Sequence, residues 1–232
     1  MASTLTPATL VWDEEGQPFC PEFGDYYFSK HGGLDESRYV FLEGNALLER
    51  WANQERFVIG EWGFGTGLNL LAVWELFSTC EAPPKELLFV SFEGSPLCKE
   101  DMAQAHALWP SLAPYAAWLQ EAYPPLVQGA HELRFGSLHV RLIFDHARRA
   151  LPLFPTNVDA WFLDGFAPSK NAEMWEESLF KHLATCSNQG ATFATFTAAS
   201  KVRKGLEAVG FKVRKISGFG KKREMSVGEW GC

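Results

Sequence analysis

The stretch EWGFGTGLN places Glu61 ahead of Gly63, Gly65 and Gly67, where an apolar run gives way to a helical pattern. Glycines let the backbone turn left-handed and let a ligand lie against the main chain with no Cβ in the way. A dinucleotide fingerprint requires G-x-G-x-x-G, but the third glycine position holds Leu68. An acid directly before the loop disfavours a phosphate and favours a cation or a hydroxyl-rich group. Three more acids, Glu93, Asp145 and Asp164, close later apolar runs. One of them can accept hydrogen bonds from both hydroxyls of a ribose. Another, beside an aromatic ring, can hold an amine and help remove its proton.

These residues need elements to position them. Short apolar runs predict strands over 57–61, 87–93, 158–164, 191–197 and 211–216, with helices over 66–78, 96–108, 172–186 and 199–209. Near-continuous apolar strands alternating with helices imply an α/β fold, a mostly parallel sheet with helices on both faces. Period-2 alternation across 132–144, around Gly136, predicts a hairpin, and 222–230 a last antiparallel strand. Ligands of such a sheet bind beyond the carboxyl ends of the strands, where Glu61, Glu93, Asp145, Asp164 and Thr197 fall. Residues 1–56 hold turns, aromatics and one short helix over 46–52. They are expected as an N-terminal extension on a catalytic domain spanning 57–232.

The ligand that combines a sulfonium, an ammonium and a ribose diol without a phosphate is S-adenosyl-L-methionine (SAM). The expectation is therefore a Rossmann-like class I SAM-dependent methyltransferase, with Glu61, Gly63, Gly65, Gly67, Glu93 and Asp145 binding SAM. Glu93 takes the ribose and Asp145 meets the adenine edge. In DGFAPSKN, Gly165 and Pro168 impose an irregular turn, with Asn171 as a candidate cap for the next helix. That turn projects Asp164 and Phe166 beyond the glycine loop, an arrangement suited to an amine acceptor. A turn-forming acid and a core aromatic are the plainer readings of the same two residues. A dinucleotide-dependent oxidoreductase ranks lower because of Leu68.

Composition bounds the partners. The net charge of the 232 residues is −7, yet residues 201–223 hold nine basic residues and a single acid, Glu207. Such a patch can dock a polyanion, because salt limits the reach of the acidic remainder to about 8–10 Å; a solvated helix and strand would carry the same lysines. Five scattered cysteines without a C-x-x-C pair fit a reducing, cytoplasmic compartment. Six dispersed histidines, no two of them three or four apart, argue against a metal site. No run approaches 18 apolar residues and no basic n-region precedes an apolar stretch, so neither a membrane span nor a signal peptide is expected.

The blocks YFSKHGGLDESRYVFLEGN, GEWGFGTGLN, SFEGSPL, DAWFLDGFAPSKNAEMW, TFTAASKVRKGLEAVGF and GFGKKREM, in this order, resemble the methyltransferase module of the MnmC/MnmD family. The resemblance runs from about residue 8 onward. It implies methylation of the 5-aminomethyl group of tRNA wobble 5-aminomethyl-2-thiouridine, with SAM as donor and neither FAD nor metal. Asp164 falls on the family's active-site acid, with Phe166 and Lys170 in the same loop. The partner it implies is the anticodon region of tRNA, together with a fused or separate FAD-dependent oxidoreductase. Lys221, Lys222 and Arg223 become tRNA contacts, while Arg38 and Tyr39 are candidates to reach the flipped base or else a structural ion pair and a core tyrosine. Gly94 departs from the longer, often basic residue expected after the second strand's acid. Two readings stay open beside this one: methylation of a small-molecule amine, and a non-catalytic tRNA-binding relative.

Overall fold

The computed structural model describes residues 3–29, 32–153 and 157–231. Three short antiparallel strands come first, β1 (Val11–Trp12), β2 (Pro18–Cys20) and β3 (Asp25–Tyr26). Helix α1 (Gly33–Ser37) then runs into a π-helical turn (Arg38–Glu43), followed by α2 (Leu47–Trp51). From β4 (Arg56–Trp62) the elements alternate through α3 (Leu68–Thr79), β5 (Glu86–Glu93), α4 (Lys99–His106) and α5 (Ala113–Ala122). The hairpin β6 (Gly129–Phe135) and β7 (Leu138–Phe144) follows, then α6 (Ala147–Ala150), β8 (Val158–Leu163), α7 (Glu177–Thr185) and β9 (Ser187–Thr195). Helix α8 (Ser200–Ala208) leads to β10 (Phe211–Ser217) and β11 (Glu224–Trp230).

Strands β4 to β11 form one sheet in the order β10-β11-β9-β8-β4-β5-β7-β6. Strands β9, β8, β4, β5 and β7 are parallel to their neighbours in turn, whereas β6 and β11 pair antiparallel. Both faces are covered, which is why the central strands are apolar on successive residues. Ile59, Phe89, Val140 and Phe162 pack against α3, α5 and the helices of residues 33–51. Val58, Val90, Trp161 and Phe193 point the other way, against α6, α7 and α8. After β4 the chain builds outward on one side through β5 and β7, then returns to lay β8 and β9 on the other. The strand order therefore reverses between β4 and β8, and a crevice opens at their carboxyl ends.

The expected strands are present, with the hairpin turning at Gly136 and β11 antiparallel to both neighbours. Three local readings are corrected. The helix expected over 172–186 is broken: a 3-10 turn (Ala172–Trp175) and an extended Glu176 precede α7. The break lets the Trp175 indole donate to the Phe166 carbonyl at 3.0 Å. Asn171 makes no side-chain capping bond. Helix α5, preceded by Pro110 and carrying Pro114 in its first turn, had no predicted counterpart.

Residues before β4 share the core. Leu34, Phe41, Leu47 and Trp51 are buried with the strands, and Arg50 donates to the Asp159 carbonyl at 3.0 Å and to Thr192 Oγ1 at 2.6 Å. On the opposite face the fully buried Trp161 lies across its neighbour on β4, Gly60, where an added Cβ would stand 2.4 Å from the indole. Gly60→Ala is therefore expected to destabilise by about 1–3 kcal/mol through overpacking, measured by urea unfolding. Wild-type stability would mean the indole does not occupy that space.

Candidate active site

At the end of β4 the backbone takes three left-handed steps, with φ of 83° at Gly63, 52° at Gly65 and 75° at Gly67. The close approaches explain two of them. A Cβ on Gly63 would lie 2.3 Å from the Asp164 carbonyl oxygen, and one on Gly65 would lie 3.1 Å from the Tyr27 ring. Gly67, packed against Phe64, turns the chain into α3 and sits behind the loop. Glu93 then staples the loop to the end of β5: its carboxylate accepts the Gly65 amide at 2.9 Å and the Ser95 amide at 2.8 Å. Burial pushes the Glu93 carboxyl up, and these two hydrogen bonds oppose the shift.

A cavity of about 740 Å³ opens over this loop, a size that suits a nucleoside-sized ligand. Its walls come from the glycine loop, the ends of β5 and β8, His146 after β7, and parts of 20–29 and 33–37 in the N-terminal segment. Asp164 lines it, half-buried, with Oδ2 accepting the Asn69 amide at 2.6 Å. Its carboxyl is pushed up to about 7, chiefly by burial; Asn69 and Lys222 oppose the shift and Glu36 adds to it.

The loop after Asp164 is fastened to the N-terminal segment. The Phe166 ring stacks on Phe23 with centroids 4.7 Å apart and meets Tyr27 edge-on. Lys170 Nζ donates to the Gly24 carbonyl at 2.9 Å. Burial beside Glu93 pushes the Tyr27 phenol far above its usual range, so it stays protonated.

The structure thus brings Gly63, Gly65, Glu93, Asp164, Phe166, Lys170 and Lys222 to one cavity. Seven expected site residues lie outside it: Gly67 behind the loop, Asp145, Glu61, Arg38 and Tyr39, and the exposed Lys221 and Arg223. Asp145 turns away: it accepts Gln128 Nε2 at 3.0 Å, the His146 amide at 2.7 Å and Arg149 Nε at 2.7 Å. Partial burial pushes its carboxyl up, but these donors together hold it below the usual value. His146, one residue on, takes the place on the wall. Glu61 is 1 % exposed and sits behind the loop, bonded to Asn69 at 2.9 Å and Ser91 at 2.5 Å. Arg38 pairs with Glu75 at 2.5 Å, and the Tyr39 hydroxyl donates to the Ser217 carbonyl at 2.9 Å, so neither reaches the cavity.

The three consecutive bases divide. Lys222 pairs with Glu36 at 2.6 Å over the Phe196 ring, on the cavity wall, while Lys221 and Arg223 are exposed outside it. The ring of His146 would be 2.6 Å from a Cβ on Gly94, which accounts for glycine there. Sequence reasoning missed Tyr27, Glu36, Asn69 and His146. Asn69 alone carried a signal, as a polar residue in the apolar run LNLLAVW. Among the described residues no group of three His, Cys, Asp or Glu is arranged to hold a metal ion, and no helix is long and apolar enough to cross a membrane.

The raised Asp164 carboxyl has a stability consequence. The unfolded chain gives up this proton near the usual 3.8 and the native chain near 7, so the native state loses stability from this group as pH rises through that interval. Asp164→Asn, which cannot ionise, should melt above the wild type at pH 8 and level with it near pH 4. Identical melting curves at both pH values would contradict the environment described.

A family model described as S-adenosyl-L-methionine-dependent methyltransferase matches residues 110–230. Among curated relatives, the tRNA 5-methylaminomethyl-2-thiouridine biosynthesis bifunctional protein MnmC of Marinomonas sp. (strain MWYL1) is 49% identical over 229 residues, covering 97% of this chain and 34% of that protein. The MnmC of Aliivibrio fischeri is 49% identical over 239 residues, covering 97% of this chain and 35% of its own length. The chain spans about a third of the length of these relatives. In fold it is similar to MNMC2 from Aquifex aeolicus, with a TM-score of 0.77 at 23% identity over 96% of this chain and 70% of that one. TrmN from Thermus thermophilus is more distant, with a TM-score of 0.50 at 15% identity over 89% of this chain and 55% of that one. With a matching family model over half its length and the glycine loop at the strand reversal, this chain belongs to the SAM-dependent methyltransferases.

Proposed function

We propose that this chain methylates the amino group of the tRNA wobble nucleoside 5-aminomethyl-2-thiouridine, giving 5-methylaminomethyl-2-thiouridine. The observation that carries the reading is Asp164, half-buried on the cavity wall beside Phe166 and directly against the glycine loop. Gly63 and Gly65 shape the loop along the cavity by admitting the Asp164 carbonyl and the Tyr27 ring, and Glu93 keeps lone pairs for ribose hydroxyls after accepting its two amides. SAM, when bound there, supplies an electrophilic methyl group on a sulfonium. Gly67 and Glu61 serve that cradle from behind, and Asp145 contributes through the placement of His146.

The acceptor resembles a lysine amine, with a reference pKa of about 10.4, and attacks only when neutral. A carboxylate alone would hold it protonated, so the low-polarity wall of Phe166, Phe23 and Tyr27 must favour the neutral amine. Asp164, ionised above pH about 7, then orients the amine and takes the proton it sheds. The remaining contribution is alignment and exclusion of water.

A polynucleotide substrate is supported by where the bases sit. Helix α8 starts after the carboxyl end of β9, and the β10–β11 turn lies at the carboxyl end of β10, which runs in the direction of the parallel strands. Exposed Lys201, Lys204, Lys221 and Arg223 therefore border the face onto which the cavity opens. The same reading places the enzyme in the cytoplasm, with the carboxymethyl-removing, FAD-dependent step performed by a fused or separate oxidoreductase.

Nucleoside analysis of hypomodified tRNA incubated with SAM and this protein should show the methylaminomethyl product. Asp164→Ala should lower turnover at least about 100-fold while SAM affinity stays within a few-fold. Survival of turnover in that variant would remove Asp164 from the chemistry, and transfer to small amines but never to tRNA would favour a metabolite methyltransferase. Replacing Lys221 and Arg223 by Ala, with Lys222 kept, should reduce the slope of log affinity for tRNA against log salt by about 1–2. An unchanged slope would return these two residues to the solvated surface.

A further inference from the structure

One polar side chain on the cavity wall is bonded on three sides. Asn69, the second residue of α3, is 6 % exposed. Its amide nitrogen donates to Glu61 Oε1 at 2.9 Å and to Asp164 Oδ2 at 2.6 Å, and its carbonyl oxygen accepts the Ser37 hydroxyl. The amide is assigned with its NH₂ group toward the two carboxyl groups, the end that can donate twice, and with its oxygen toward the Ser37 hydroxyl. Ser91 takes the other oxygen of Glu61 at 2.5 Å. Four elements meet in this way: α1 through Ser37, β4 through Glu61, β5 through Ser91 and the end of β8 through Asp164.

We infer that Asn69 is a positioning residue that holds the Asp164 carboxylate toward the acceptor amine, with Glu61 as its anchor and Ser37 as its lock. This rests on the reading of Asp164 as the group that receives the amine proton. With Oδ2 committed to Asn69, Oδ1 is the oxygen left for the amine. Glu61, which does not line the cavity, acts on the reaction through Asn69. A hydrogen bond to the ionised form also favours ionisation, so Asn69 keeps Asp164 a competent base closer to neutral pH than its burial alone would allow. The other titratable groups facing Asp164 are Glu36 from α1, Lys222 from the β10–β11 turn and Glu61 from β4, whose own carboxyl burial pushes well above the usual value. Glu93 at the end of β5 acts on Glu61.

The test pairs a substrate-free titration with kinetics, using the whole chain. Carboxyl-carbon NMR, with the Asp164 signal identified by its loss in Asp164→Asn, follows ionisation in the wild type, Asn69→Ala and Ser37→Ala. In Asn69→Ala the Asp164 titration should move up by at least about half a pH unit. The acid limb of kcat for tRNA methylation should move by the same amount, and kcat at pH 7 should fall about 10-fold while KM for SAM changes less than about 3-fold. Ser37→Ala should shift both limbs the same way by less, and it decides the matter if Asn69→Ala fails to fold. An unmoved Asp164 titration in the folded variants would overturn the inference, as would a kcat loss uniform across pH. A wild type that methylates no tRNA would refute the proposed substrate, whereas the carboxyl titration would still decide the role of Asn69.

Discussion

The site depends on a contact that admits no side chain. Gly63 at the end of β4 lies so close to the main chain at Asp164 that a Cβ would fall 2.3 Å from its carbonyl oxygen. Neighbouring parallel strands β4 and β8 would in any case end side by side. The glycine goes further, letting the loop after β4 fold over the start of the loop after β8. The glycine loop and Asp164, the two halves of the proposed site, are thereby held on one junction of the sheet, at the point where the strand order reverses. Misplacement of either by an ångström would cost far more in rate than in binding.

The N-terminal segment completes what the sheet begins. Tyr27 covers Gly65, Phe23 stacks on Phe166, the Gly24 carbonyl receives Lys170, and Ser37 meets Asn69. Each of these contacts crosses from the first 40 residues to a loop, or for Asn69 the first turn of α3, at the carboxyl ends of the strands. The segment is thus a wall of the cavity as well as a cover on the core. Its aromatic content lowers the polarity around Asp164, the condition under which an amine sheds its proton near neutral pH.

Much of this was legible from residue order, for physical reasons. Buried parallel strands must be apolar on both faces, so 57–61, 87–93 and 158–164 announced themselves, and the acids closing them marked the functional end of the sheet. What escaped was the direction of side chains. Asp145 falls one residue past its strand, where Phe144 is the residue level with Glu93, and Arg149 one helical turn on and Gln128 across the hairpin turn it away. Glu61 reads as a ligand contact until Asn69 and Ser91 are seen to occupy both its oxygens. Arg38 and Tyr39 were legible only as alternatives, and the partners that settle their placement, Glu75 and Ser217, are distant in sequence. Long-range partners of this kind leave no periodic trace, and neither does the break at Glu176 that frees Trp175 to hold the Phe166 carbonyl.

The central claim is that the glycine loop and Asp164 form one methyl-transfer site. A crystal structure with the demethylated donor, S-adenosylhomocysteine, tests it most directly. The ribose hydroxyls should lie on Glu93 and the sulfur should face the Asp164 carboxylate past Gly63. A ligand seated outside this cavity, or with its sulfur turned away from Asp164, would contradict the account.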